Sequence, residues 1–248
     1  MKFEKKTILN LIGWLTIGIL YLLSILIFFL GSSINQIVIK MGFISYLFRP
    51  YAVLFHITFL AIIVLSIVFE KVNDELLTGF IACVAITTAV IASFFMLISD
   101  IIIFLCIGVL IVLAYFSKQL KWDFQKISTI DIIFGIIGIV SGFWYLFWID
   151  DPIYINAILL SPMGILNSPS ILIICGFLCL SQEPRSMKLE ITVILTAIWF
   201  GILGVFFMGI YINLILILIA SYLLIRVIKC VRNEKSIINS NFKNVEIH

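Results

Sequence analysis

Long apolar runs, separated by short polar segments, constrain this chain more than any other feature. Five of them predict plain membrane-spanning helices, because at 1.5 Å per residue each approaches a hydrocarbon thickness of about 30 Å. They cover residues 7–30, 51–69, 77–98, 101–116 and 129–149. Ser99 and Asp100 alone separate the third run from the fourth, which predicts a tight turn at these two residues.

Another apolar stretch, residues 190–226, would be about 55 Å long as one helix. That length is too great for one crossing, so we expect a hairpin of two spans that turns near residues 207–209. The composition agrees, since 63% of the 248 residues are hydrophobic and 12% are charged, against about 25% charged in soluble domains. We therefore expect an all-α polytopic membrane protein whose residues 1–248 form one integral membrane domain.

The sixth span, residues 150–181, is interrupted in its middle by Pro162, Gly164 and Pro169. Proline removes a backbone donor and clashes with the preceding turn, so the sequence predicts a short helix, a bend over residues 161–169 and a second short helix. Ser168 is the expected N-cap of the second helix. Non-helical backbone at membrane depth is tolerated only inside protein or beside a wet cavity, which makes this bend the expected site.

The fifth span carries Gly138 and Gly142 on one face, a spacing that favours close helix packing. We expect Gly164 of the bend to pack on this face, and Asn167 and Ser168 to satisfy the backbone groups that the prolines free. Aromatic residues at the end of the same span are expected to anchor it at the membrane interface; they are Trp144, Tyr145 and Trp148.

The basic residues are distributed unevenly among the polar segments. With eight crossings and both termini inside, only Lys40 and Arg49 of the 16 Lys and Arg residues fall outside. This is a strong positive-inside pattern. It predicts a multi-pass protein of the cell membrane with a basic cytoplasmic tail at residues 229–248, and it favours the lipid bilayer and anionic lipids at the inner face as partners over nucleic acid.

The order of elements repeats along the chain. A span, an outer linker that ends at a proline, a second span and a hairpin of two spans occur in residues 1–124 and again in residues 125–228, with Pro50 and Pro169 in equivalent places. This order predicts a parallel four-plus-four pseudo-repeat, an arrangement that transporters use with sites between the halves.

His56 is the ionisable side chain that the sequence places within a span. Ionisable groups in the membrane are costly and are candidates for function, so His56 is a candidate proton-relay or ligand residue. The structural alternative is a neutral histidine bonded to a neighbouring carbonyl group.

Asp150 and Asp151 open the broken span on the outer face, where they could bind a cation or assist proton uptake, or simply cap a short helix as solvated acids. Asn156, Asn167 and Ser168 supply polar atoms near the bend and are candidates for binding a substrate or an ion. Hydrogen bonds between helices are the alternative explanation for these three.

No arrangement of Ser, His and Asp, no zinc motif and no Gly-rich phosphate loop is recognisable in the sequence. The sequence therefore assigns no catalytic residue, no metal and no cofactor. Three functions stay open: transport or permeation of a small substrate, an enzyme on a lipid or isoprenoid substrate at the outer face, and a structural or assembly subunit of a membrane complex.

Residues 164–170 read Gly-Ile-Leu-Asn-Ser-Pro-Ser and lead into an apolar run that contains Gly176-Phe177-Leu178. This stretch resembles a family of small prokaryotic multi-span membrane proteins of unknown function, which shows Gly, then Pro-Cys-Pro-Thr-Thr, then an apolar run with Gly-x-Leu at the same spacing. Asn167, Ser168 and Ser170 stand where that family has Pro, Cys and Thr. The resemblance therefore implies no thiol chemistry and no activity.

Overall fold

The computed structural model describes residues 2–31, 33–69, 73–122, 127–148, 156–181 and 186–245. Every regular element in these ranges is a helix, which confirms the all-α prediction. The α-helices are α1 (Lys2–Gly31), α2 (Ile34–Leu47), α3 (Arg49–Val68), α4 (Asn73–Phe94), α5 (Ile98–Phe116), α6 (Thr129–Phe143), α7 (Ala157–Leu160), α8 (Asn167–Cys179), α9 (Met187–Ile202) and α10 (Leu214–Val245).

Within the described ranges, seven helical segments are long and apolar enough to cross a membrane, and two shorter apolar helices, α2 and α8, accompany them. This set suggests a membrane-embedded protein. α8 has 13 residues, about 20 Å of helix, which is too short to cross the hydrocarbon core by itself. The count of eight crossings and the orientation of the chain stay predictions.

The turn between α4 and α5 lies at residues 95–97, so the prediction of a turn at Ser99 and Asp100 was wrong. Met96 has a positive φ of 57°, and the Leu97 N–H donates to the Ala92 carbonyl, which is the bonding pattern of a Schellman helix end. Ser99 and Asp100 are instead buried in the first turn of α5, where the helix dipole favours an acidic side chain.

The hairpin between α9 and α10 has the predicted position. A π-helical turn at Leu203–Phe207 continues α9, and Gly209 follows with a φ of 71°. A 3₁₀ turn at Tyr211–Asn213 then leads into α10. α10 continues to Val245, so the basic tail begins as part of this helix.

α8 lies at the centre of the bundle, where α4, α6, α9 and α10 pack around it. All of its residues are buried, although a helix at the edge of a membrane bundle would expose one face to lipid. The interrupted run therefore occupies the interior of the protein, as its broken backbone requires.

The bend separates α7 from α8, and the predicted break in the sixth span is confirmed. Residues 161–166 are non-helical, but α8 begins at Asn167 with Leu166 as its N-cap, so the assignment of Ser168 as the cap was wrong. The side chain of Asn167, the first residue of α8, accepts the Ser168 N–H at 2.6 Å and so satisfies one of the free backbone donors of the first turn.

Ser170 satisfies backbone groups of the bend, since its Oγ donates to the Leu166 carbonyl oxygen at 2.5 Å, and Ser161 joins the bend to α6. The Gly164 N–H donates to Oγ of Ser170 at 3.0 Å, and Oγ of Ser161 donates to the Gly142 carbonyl at 2.6 Å. We expected Asn167 and Ser168, as the nearest polar side chains, to satisfy the backbone groups that the prolines free. In the structure the side chains of Asn167 and Ser168 reach partners beyond the bend, Asp100 and Asn213.

The small-residue face of α6 packs directly on α8. A Cβ built on Gly138 would lie 2.8 Å from Cα of Gly176, and one built on Gly142 would lie 2.8 Å from the Pro169 carbonyl oxygen. The prediction that Gly164 packs on this face was wrong, since Gly164 lies against the ring of Phe55 in α3. The glycines of α6 instead allow α8 itself to approach.

The four-plus-four repeat stays a prediction, and the halves differ in how their first helices pack. α6 packs chiefly on α8, whereas α1, the equivalent helix of the first half, packs chiefly on α5. The glycine contact that joins α6 to α8 is therefore a property of the second half.

Alanine substitutions at Gly164 and Gly209 distinguish the cost of backbone strain from the cost of overpacking. Both have a φ of 71°, but a Cβ at Gly164 would meet Phe55 at 2.9 Å and a Cβ at Gly209 would meet nothing within 4 Å. We expect Gly209→Ala to lower the free energy of unfolding by about 1 kcal/mol from strain alone. Gly164→Ala should cost roughly 1 kcal/mol more, because the Phe55 ring must move.

Unfolding in a denaturing detergent, followed by circular dichroism, measures both changes. In a Phe55→Leu background the difference between the two alanine variants should shrink. Equal costs for the two variants in the wild-type background would contradict the assigned contact between Gly164 and Phe55.

Candidate functional site

Five buried polar side chains form one chain of hydrogen bonds at the start of α8. The Tyr145 hydroxyl donates to Oδ1 of Asn213 at 2.5 Å, and Nδ2 of Asn213 donates to Oγ of Ser168 at 3.2 Å. Ser168 Oγ donates to Oδ1 of Asn167 at 3.3 Å, and Nδ2 of Asn167 donates to Oδ2 of Asp100 at 3.2 Å. We call these five residues the polar chain.

Every donor in the polar chain is directed toward Asp100. Tyr145 begins the chain as a donor, and the carboxylate of Asp100 ends it as an acceptor. The hydrogen bond from Asn167 favours the ionised form of Asp100, whereas burial favours the neutral acid, so a bound cation would stabilise the ionised form further. Asp100 is only 5% exposed, and burial at that level requires such partners.

Four separate elements bring the polar chain together. Asp100 lies in the first turn of α5 and Asn213 in the 3₁₀ turn before α10, while Tyr145 follows the end of α6. Asn167 and Ser168 open α8. All five positions lie within three residues of the start or the end of a helix, where backbone groups lack partners and polar side chains are most easily accommodated.

A cavity of about 300 Å³ lies between α1, α2 and the start of α5. Its inner wall includes Asp100, Ser99 and Phe28, which are all buried. Lys40 and Met96 also line it and are exposed, so they mark its mouth. The acceptor end of the polar chain is therefore part of the wall of a cavity that opens to the surface.

Ser99 is held in place by the first helix. Oγ of Ser24 lies 2.7 Å from Oγ of Ser99 and donates to its carbonyl oxygen at 3.1 Å. Because Ser24 is fully buried, this contact ties α1 to the first turn of α5 beside Asp100. The contact therefore fixes α1 and α5, two of the three helices that line the cavity, relative to each other.

His56 lies outside the polar chain. Its Nδ1 is 2.7 Å from the Ala52 carbonyl oxygen, its Nε2 is 3.4 Å from the Phe143 carbonyl oxygen, and its ring packs edge-on against Phe143. These are the contacts of the structural alternative, in which the ring is bonded to a neighbouring carbonyl. A role in proton relay or ligand binding stays a prediction.

The other predicted residues are divided between the site and its surroundings. Asn167 and Ser168 belong to the polar chain. Asn156 is half-buried next to the start of α7 and is not one of the five residues. Asp150 and Asp151 lie outside the described residues, so their predicted roles remain predictions.

Sequence reasoning missed Asp100 and Tyr145. Asp100 was interpreted as a turn residue because it separates two apolar runs, and Tyr145 was interpreted as an interfacial anchor. Tyr145 is fully buried, so the prediction that it is an anchor was wrong. An acidic residue within three positions of a helix start was the available signal for Asp100, but it does not indicate burial.

A second polar cluster lies at the opposite end of α8. Arg226 donates to Oδ1 of Asp131 at 3.1 Å and to Oε1 of Glu190 at 2.5 Å. It also donates to the carbonyl oxygens of Leu178 at 2.7 Å and Cys179 at 3.0 Å, which places a cation at the negative end of the helix dipole. Ser128 is the N-cap of α6, since its Oγ accepts the Asp131 N–H at 3.2 Å.

No known protein family, curated protein or solved structure matches the chain. Nothing in these comparisons bears on the resemblance at residues 164–180, which stays an expectation. A functional proposal must therefore be argued from the contacts at the two ends of α8.

Proposed function

We propose that the protein transports or admits a small solute across a membrane, and that the solute binds in the cavity beside Asp100, next to the start of α8. The observation that carries this proposal is the position of the polar chain. It joins the first turn of a fully buried half-helix to a carboxylate in the wall of an open cavity. Half-helices that end at polar groups inside a bundle are the usual ion and substrate sites of membrane transporters.

The energetic cost of the polar chain supports the same proposal. A carboxylate within a membrane bundle is expensive and is retained where it serves an ion or substrate path. Asp100 shares its bundle end with Asn213 and Tyr145, so one structural change at this end could alter the surroundings of all three side chains.

The two ends of α8 differ in a way that suits a carrier. The start of α8 is next to a cavity with an exposed mouth, whereas Arg226 and its acidic partners occupy the end. A solute bound beside Asp100 would meet packed helix and ion pairs beyond it. This arrangement favours a carrier that changes conformation over a continuous open pore.

Uptake into proteoliposomes tests the proposal. Purified protein is reconstituted and exposed to radiolabelled amino acids, alkylamines, carboxylates and sugars, one class at a time. We expect one class to enter above the level of protein-free liposomes, and we expect Asn167→Ala and Asp100→Asn to reduce its initial rate by about tenfold or more, as the loss of charge-assisted hydrogen bonds implies.

Glu75→Gln is the matched control, because Glu75 is an exposed acid at the far end of α4 from the turn next to Asp100. It should leave uptake unchanged. Folded protein that takes up none of the solute classes contradicts transport. Uptake that is equal in all variants contradicts the position of the site.

A further inference from the structure

We infer that the cavity beside Asp100 binds a small zwitterion, a molecule with an ammonium group and an acid anion on a short apolar frame. The inference deepens the proposed function, rests on it, and concerns the same site. It comes from the two charged groups of the cavity wall and from the surface that lies between them.

The charged groups lie at opposite depths of the cavity. Asp100 is 5% exposed at the inner wall, and Lys40 is exposed at the mouth. No ion pair joins these two side chains, although both are within the described ranges and both line the same space. Asp100 is instead hydrogen-bonded to Asn167.

Much of the rest of the cavity wall is apolar. Ile27, Phe28, Ile37 and Met41 line it, and Phe28, Ile37 and Met41 are buried. A volume of about 300 Å³ is at the lower limit of small-ligand pockets. It would hold a molecule, or a headgroup, of amino-acid size.

A zwitterion complements all three features with one molecule. Its ammonium group would donate to Asp100, which accepts but cannot donate when ionised. Its acid anion would pair with Lys40 at the mouth, and its apolar part would lie against Phe28 and Met41. A simple cation would leave Lys40 repelling it, and a simple anion would meet the carboxylate at the inner wall.

The same chemistry occurs in a free amino acid and in the headgroup of phosphatidylethanolamine. Three ligands of nearly equal size test the charges: leucine, 3-methylbutylamine, which lacks the carboxylate, and 4-methylpentanoate, which lacks the amine. Binding to the purified protein is measured by isothermal titration calorimetry. A parallel measurement compares retention of phosphatidylethanolamine and phosphatidylglycerol after purification.

We expect Asp100→Asn and Lys40→Gln each to weaken the binding of leucine, or to reduce the retention of phosphatidylethanolamine, about tenfold or more. The amine and the carboxylate should each bind about tenfold more weakly than leucine. Lys118→Gln, at the opposite end of α5 from Asp100, is the matched control and should change nothing. Leucine binding identifies a free zwitterion, and retained lipid without leucine binding identifies the headgroup.

Two results would overturn the inference. One is binding of 3-methylbutylamine as tight as that of leucine with no effect of Lys40→Gln, which indicates a simple cation site. The other is the absence of both leucine binding and retained phosphatidylethanolamine in folded protein. Zwitterion binding without uptake would contradict the proposed transport alone, while uptake of another solute class that is insensitive to Lys40→Gln would contradict the inference alone.

Discussion

Replacing Arg226 with Met should lower the free energy of unfolding by about 3–5 kcal/mol, the usual cost of removing one partner from a buried ion pair. The guanidinium group donates to Asp131, to Glu190 and to the last carbonyl groups of α8. Met fills much of the volume but leaves two acidic side chains and the negative helix end without this cation. We therefore expect the largest loss of stability in the molecule from this change.

Two further variants test whether the charge and the donor geometry of Arg226 cause this loss of stability. Arg226→Lys keeps the charge but not the planar fork of donors, so it should recover only part of the loss. Arg232→Met, on the same helix but exposed, is the control and should be nearly neutral. Unfolding in a denaturing detergent measures all three, and a loss below about 1 kcal/mol for Arg226→Met, the value of a surface pair, would show that the group is solvated.

Replacing Gly138 with Leu should separate α6 from α8 and cost about 3 kcal/mol, at the upper end of the range for overpacking. The atoms nearest to its missing Cβ are the Cα and N of Gly176 and the Leu172 carbonyl oxygen. Backbone atoms cannot rotate away as a side chain can. The central half-helix would have to shift, and the polar chain at its start would shift with it.

Gly18→Leu is the matched control, because Gly18 lies in the middle of α1 with nothing within 4 Å of a Cβ. There the substitution should be neutral or stabilise the helix by up to about 1 kcal/mol through helix propensity. The same detergent unfolding measures both variants. Similar losses at Gly138 and Gly18 would contradict direct contact between α6 and α8.

The sequence alone predicted the elements that depend on local rules. Length and hydropathy predicted the long helices, and Pro162 and Gly164 predicted the break before α8, because these residues act on their own backbone. The turn near residues 207–209 was also predicted, since an apolar run of about 37 residues cannot remain one span. None of these features requires knowledge of a distant partner.

The parts that sequence reasoning missed depend on partners far along the chain. Gly164 meets Phe55 in α3, and Gly138 meets Gly176 in α8, but spacing shows only that a face is small and not what covers it. The sequence predicted that Asp100 lies in a turn, and only the structure shows that Asn167 lies beside it and donates to it. The polar chain joins residues of both halves, so the site could be located at the bend but its acidic member could not be identified.

The central claim is that a solute can reach the first turn of α8, and the reactivity of a cysteine at Ser168 tests it most directly. In a variant whose Cys83, Cys106 and Cys230 are replaced, Ser168→Cys is treated in proteoliposomes with 2-aminoethyl methanethiosulfonate. Ser99→Cys, in the cavity wall, gives the reference rate. We expect Ser168→Cys to react from the same side of the membrane as Ser99→Cys and more slowly, because Ser168 lies behind Asp100 and Asn167. Complete modification of Ser99→Cys with no modification of Ser168→Cys would contradict the claim, and the polar chain would then be a sealed structural cluster.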